Sequence, residues 1–259
     1  MASRSQVWIV VDISKRSGRT TSKQQLREKI WALLTRRRVA RFPLPVNDRI
    51  PNFAGAERAA ERLAALPEWR RARVLKCNPD APQRPVRLRA LREGKEVYVA
   101  VPRLRAAKCF LRLDPRRIPP ARLGAAATIG GAAALGVPVA PENLPRIDLV
   151  VAGSVAVNRR GARVGKGGGY SDLEFALAAE LGAVDARTTV VTTVHDLQVV
   201  AGAIPMTRHD VPVDLVVTPT RTLRPRRAAR RPRGIGWSEL DAAQLEAMPA
   251  IAAHRRRRA

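Results

Sequence analysis

Aromatic residues make up only 4% of this 259-residue chain. Stacking platforms for single-stranded nucleic acid are therefore scarce. There are two cysteines, Cys77 and Cys109, which cannot form a metal cluster by themselves. That scarcity makes a reduced, cytoplasmic protein the expectation. No apolar run approaches the ~18–20 residues of a membrane span, so no membrane is expected. Residues 1–22 do not read as a signal peptide, because the apolar piece at 7–11 is short and Asp12 and Lys15 follow it closely. Acidic residues are few beside basic ones: 22 Asp and Glu against 48 Lys and Arg, a net charge of +26. Such an excess invites a nucleic-acid reading. Here it is nearly all arginine in an alanine-rich chain, as a GC-rich coding sequence produces. It suits an anionic small-molecule pair, such as a nucleotide and a polycarboxylate, equally well.

Hydrophobic residues are 46% of the chain, a globular composition. Residues 22–38 read as a helix. Ser22 and Gln25 match a capping box, Leu26, Ile30, Leu33 and Leu34 form an apolar stripe, and Lys23 and Arg27 share a face. A proline-bearing loop at 42–52 leads to a second helix at 54–66. A strand at 73–77, a proline-broken loop at 78–85, a helix at 86–92 stopped by Gly94, and a strand at 97–101 follow. Small residues fill 128–135, and 147–157 reads as one strongly apolar strand containing Gly153. A helix at 173–181 has a capping-box pattern in Ser171 and Glu174 and a stop at Gly182, and 188–194 and 214–217 are β-rich.

Strands alternating with helices predict an α/β fold, a single three-layer domain with a mostly parallel sheet flanked by helices. That domain spans 22–220, after an N-terminal extension at 1–21 and before a basic C-terminal extension at 221–259. Within the latter, 221–233 reads as a solvated arginine-rich linker and 255–258 as a disordered basic tail. Between them, 234–251 regains an apolar pattern suited to docking back on the domain. A monomer is expected.

The most informative stretch is Arg163, Val164, Gly165, Lys166, Gly167, Gly168, Gly169, Tyr170, Ser171 and Asp172. Glycines let backbone N–H groups crowd around one point, and a helix start adds partial positive charge. That is a phosphate cradle, and Asp172 suits the magnesium that travels with a nucleotide. A Walker A loop is excluded, because Gly167 follows Lys166 and position 160 is Arg. The dinucleotide fingerprint fails at Tyr170, where its third glycine belongs.

The string from Gly165 to Asp172 resembles the signature loop of the 5-formyltetrahydrofolate cyclo-ligases, or methenyltetrahydrofolate synthetases, which runs Gly-basic-Gly-x-Gly-Tyr-Tyr-Asp. Residues 23–27 resemble that family's N-terminal Lys-x-x-Leu-Arg helix. Residues 94–103 resemble a further strand, and 204–214 its C-terminal segment. The resemblance implies ATP and Mg2+ as cofactors and a folate as substrate. ATP's γ-phosphoryl group goes to the formyl oxygen of 5-formyltetrahydrofolate, N10 attacks the activated carbon, and phosphate leaves. It also implies roles: Lys23, Arg27, Arg163, Lys166 and the backbone of Gly165, Gly167, Gly168 and Gly169 around the phosphates, and Asp172 and Asp210 on the metal. Tyr170 lies beside the folate, with Ser171 in the binding loop, and Lys166 and Tyr170 are the candidate catalytic side chains.

Two departures fall on the substrate side. Ser171 stands where the family has its second tyrosine, and residues 78–83 replace a Glu and Thr. Both resemble a divergent branch of synthetase-domain-containing proteins, as does 234–237. A nucleotide-binding relative with altered or absent folate activity is therefore the alternative, with weak RNA binding through the arginine-rich segment less favoured. Taken alone, Lys23 and Arg27 fit a solvated helix face, Asp172 a helix cap and Asp210 an ordinary loop acid. His195 reads as a structural histidine, and the cysteines as small apolar fillers.

Overall fold

The computed structural model describes residues 22–101, 104–226 and 230–258. The N-terminal extension and the Pro102-Arg103 end of one resembling segment lie outside them. The helices are α1 (Lys23–Arg36), α2 (Ala56–Ala64), α3 (Pro67–Arg71), α4 (Arg84–Arg92), α5 (Leu123–Ala126), α6 (Ile129–Leu135), α7 (Tyr170–Glu180), α8 (Ala242–Ala247) and α9 (Pro249–Arg258). A two-stranded ribbon pairs β1 (Ala40–Arg41) with β2 (Asn52–Phe53). The central sheet holds β3 (Val74–Cys77), β4 (Glu96–Ala100), β5 (Phe110–Leu113), β6 (Val137–Val139), β7 (Leu149–Val151), β10 (Thr189–Thr193), β12 (Leu215–Val217) and β13 (Thr222–Leu223). A small sheet holds β8 (Ala156–Asn158), β9 (Arg163–Val164) and β11 (Val199–Val200).

The expected fold class holds. Eight strands run in the order β13-β12-β10-β7-β3-β4-β5-β6. The five from β12 to β4 are parallel, and antiparallel strands close both edges. Side chains alternate along each strand, so each strand feeds both faces. Leu149, Val151, Leu75 and Val97 pack with Val86 and Leu91 of α4 on one side. Val150, Val190 and Val216 pack with Phe175 and Leu177 of α7 on the other. This is a three-layer arrangement with a sheet buried on both faces.

The small sheet carries α1. Leu26, Ile30 and Leu34 pack on Val155, Ala156 and Val164, and the Ser22–Gln25 capping box forms as expected. Lys23 and Arg27 continue the line of Ile30 and Leu34 toward the start of α1, so the same packing carries them to the glycine loop that joins β9 to α7.

Four local expectations are corrected. The apolar run at 147–157 is two strands in two sheets. The chain leaves the central sheet after Ala152, and the Gly153 carbonyl accepts from Arg163 Nη1 at 3.2 Å instead of continuing the ladder. Helix α4 begins inside the proline-broken loop, at Arg84, because proline in the first helical turn has no N–H to lose. The described residues of 221–233 pack against the domain: β13 pairs with β12, and Arg231 donates to the Thr188 carbonyl at 2.7 Å. The basic tail is the end of α9, with Arg257 paired to Glu142 and Arg258 to Glu180.

Residues 234–251 do dock back. Ile235, Met248, Ala250 and Ile251 join the core beside Phe175 and Leu177. Glu180, at the end of α7, accepts from Ile235 N–H at 2.8 Å, Trp237 Nε1 at 3.3 Å and His254 Nε2 at 3.1 Å. No helix among the described residues is long and apolar enough to cross a membrane. Ile251 is fully buried, so Ile251→Ala is expected to lower stability by about 2–4 kcal/mol, read as a reduced urea midpoint. A change within about 0.5 kcal/mol would return the segment to the status of a solvated tail.

Candidate functional site

The glycine loop is exposed, and its geometry follows from its residues. Gly169 caps α7 at φ 68°, a left-handed conformation that side chains disfavour. The Tyr170 ring lies against Gly168 so closely that a Cβ there would sit 2.8 Å from it. Among the described residues, none accepts a hydrogen bond from the N–H groups of Lys166, Gly167, Gly168 or Gly169. Four exposed donors therefore precede a helix N-terminus, the arrangement that attracts an anion.

Helix α7 starts at Tyr170, earlier than its pattern suggests, and the expected Ser171–Glu174 capping box does not form. Tertiary partners take both side chains. Ser171 Oγ accepts from Asn78 Nδ2 at 3.0 Å, and Glu174 forms a buried ion pair with Lys76. Lys76 Nζ also donates to Asn78 Oδ1 at 2.9 Å. Burial pushes the Glu174 carboxyl up, with Lys76 pulling against it.

Cations around the loop are held by carboxylates or by a backbone carbonyl. Lys23 Nζ donates to both carboxylate oxygens of Asp210, at 2.6 and 2.5 Å. Arg27 Nε donates to the Gly165 carbonyl at 2.8 Å, and its guanidinium lies over Gly167. Lys166 Nζ reaches Asp80 Oδ1 at 2.9 Å. Arg163 is the exception among the expected phosphate ligands, because it is buried and its bonds go elsewhere. Nε donates to the Val211 carbonyl at 3.0 Å, Nη1 to Gly153, and Nη2 to Asp172 Oδ1 at 2.5 Å. It anchors an acid of the site rather than presenting a charge.

Asp172 and Asp210 come together. The Val211 N–H donates to Asp172 Oδ1 at 3.0 Å, which fixes the neighbouring Asp210 beside it. Burial opposes the ionisation of Asp210, but Lys23 and the Thr207 N–H outweigh it and hold its pKa below the ordinary 3.8. Among the described residues no cluster of three His, Cys, Asp or Glu could hold a metal by itself. Two carboxylates beside exposed amide donors fit Mg2+, which takes one or two acids and completes its shell with water and phosphate oxygens.

A cavity of about 540 Å³ opens here. Gly168, Gly169, Tyr170, Asp172 and Asp210 line one side, and Leu240, Ala243 and Met248 from the C-terminal extension line the other. His209 also lines it and pairs with Glu239. Lys23, Arg27 and Lys166 border the loop outside that wall. His195 is structural: its Nδ1 accepts from the Leu197 N–H at 3.1 Å, and its ring meets Phe53 edge-on. Cys77 and Cys109 are buried and free, and burial pushes the Cys109 thiol up to about 12.

Residues 19–219 match the model of the 5-formyltetrahydrofolate cyclo-ligase family. The chain belongs to that family. Cyclo-ligase relatives include the methenyltetrahydrofolate synthase domain-containing proteins of Bos taurus, 43% identical over 237 residues, and Homo sapiens, 40% identical over 243. The matches cover 89% and 91% of this chain but 61% and 62% of those proteins, so the chain spans about six-tenths of their length. The cyclo-ligase fold is also that of the Aquifex aeolicus 5,10-methenyltetrahydrofolate synthetase, at TM-score 0.50 and 22% identity, over 80% of this chain and 94% of that one.

Sequence reasoning did not find the Lys76–Asn78–Glu174 network, the Lys166–Asp80 pair or the cavity wall beyond 219. Only Glu174 carried a signal, as an acid on the first turns of a helix, and that signal pointed to a cap. Lys76→Met strands a buried carboxylate and is expected to cost about 3–5 kcal/mol, most of it recovered in Lys76→Met/Glu174→Leu. Because the Asp210 pKa is lowered on folding, its stabilisation is complete above the ordinary carboxylate value and is lost as pH falls through the lowered one. Asp210→Asn is expected to flatten the fall in urea midpoint between about pH 5 and pH 2.

Proposed function

We propose that this chain is an ATP- and Mg2+-dependent cyclo-ligase that converts 5-formyltetrahydrofolate to 5,10-methenyltetrahydrofolate with release of ADP and phosphate. The observation that carries this reading is the exposed run of N–H donors from Lys166 to Gly169, at the start of α7 with Asp172 and Asp210 beside it. Phosphoryl transfer asks mainly for positioning and charge neutralisation, and backbone donors on a helix start supply both without reorganising. The metal, when bound, adds positive charge on the phosphate oxygens, with Asp172 and Asp210 as its protein ligands.

The chain's own residues divide the remaining work. Lys23 and Arg27 stand on the rigid α1 and bring positive charge to the loop's outer side. Lys166, exposed and, among the described residues, paired with Asp80, can turn from that carboxylate to a phosphoryl oxygen. Tyr170, with its ring fixed on Gly168, offers a flat apolar face to a folate beside the phosphates.

A second reading, a nucleotide-binding relative with a changed one-carbon substrate, is favoured by Ser171. Its hydroxyl is tied to Asn78, so the substrate side has a small polar network where the family loop has a second ring.

Mixing the protein with ATP, Mg2+ and 5-formyltetrahydrofolate is expected to give ADP and the rising absorbance of the methenyl product. Chelating the metal should stop it, and Lys166→Ala should lower kcat by about 10²–10³-fold. Folded protein that binds ATP but makes no product, with product appearing only in Ser171→Tyr, would replace the first reading with the second.

A further inference from the structure

The family match ends at residue 219, yet eight of the residues lining the cavity lie beyond it. They belong to the segment that Glu180 pins through Ile235, Trp237 and His254, and that Ile235, Met248 and Ile251 root in the core. The outer wall is therefore built into the fold. Its chemistry differs from that of the loop opposite. The loop offers amide donors and the acids Asp172 and Asp210. The extension offers Leu240, Ala243, Ala247 and Met248, with the carboxylates of Glu239 and Asp241 beside them. Ala243 and Ala247 are four residues apart on α8 and share one face.

We propose that this C-terminal segment binds the nucleoside half of the nucleotide whose phosphates the glycine loop holds. The two sides of one cavity match the two ends of such a ligand: anion donors for the phosphates, and an apolar wall for a flat base. Glu239 is an acceptor suited to ribose hydroxyls, held in place by Arg208 and His209. The volume of about 540 Å³ lies in the range of small-molecule and cofactor sites. The two small alanines leave that space open, and a bulky side chain at either would fill it from the extension side.

The inference rests on the phosphate reading of the loop, and the test separates the two. ATP and inorganic tripolyphosphate, each with Mg2+, are titrated calorimetrically into the full chain and into Ala247→Trp and Ala243→Trp, both at exposed positions. Circular dichroism and unliganded melting confirm that each variant is folded. The expected result is ATP affinity weakened about tenfold or more in both variants, with tripolyphosphate affinity unchanged. ATP affinity unchanged in both variants overturns the proposal and leaves the loop reading intact. Equal weakening of both ligands also overturns it, because the wall would then act on the phosphates. If neither ligand binds the unaltered chain, the loop reading fails and the proposal fails with it.

Discussion

The clasp on Asp172 is the contact on which the site depends. One carboxylate oxygen takes a guanidinium N–H from Arg163 and the backbone N–H of Val211. Arg163 is on β9, Asp172 in the first turn of α7, and Val211 follows the loop that carries Asp210. Three separate stretches are thereby held at one point. The glycine loop spans the short gap between the two partners of the ion pair, so its ends are fixed while its amide groups stay exposed. A charge-assisted bond to a buried arginine is strong enough to hold this, because leaving either partner unpaired there costs more than the bond contributes.

The chain carries a large positive excess, yet the cations closest to the loop each face a carboxylate or a carbonyl. Lys23 meets Asp210, Lys166 meets Asp80 and Arg27 meets Gly165. These pairs differ in burial, and so in what an incoming anion can do to them. Arg163 is enclosed and stays with its partner. Lys166 is about half exposed, where water screens its attraction to Asp80 and little is lost in exchanging one oxygen for another. The fold thus separates a fixed scaffold charge from a transferable one only three residues away.

Two capping-box patterns in the sequence had opposite outcomes. Ser22 and Gln25 form theirs on the exposed first turn of α1, where only solvent competes. Ser171 and Glu174 do not, because α7 packs over the C-terminal end of β3 and meets Lys76 and Asn78 there. A buried lysine demands a carboxylate more strongly than a helix end demands a cap. The apolar run at 147–157 shows the same limit, since nothing in its composition marks the point where Gly153 turns its carbonyl to Arg163.

What could be read from residue order alone was local or carried by a motif: the alternation of strands and helices, the α1 cap, the helix stop at Gly182, and the glycine loop with its family. Each rests on neighbours within a few positions, where backbone geometry and residue type act directly. The pairing of Lys76 with Glu174, the bond from Val211 to Asp172 and the cavity wall formed by 235–248 join residues dozens of positions apart. Their energies exist only once the sheet has brought those residues together and removed the water between them, so no short window of sequence contains them.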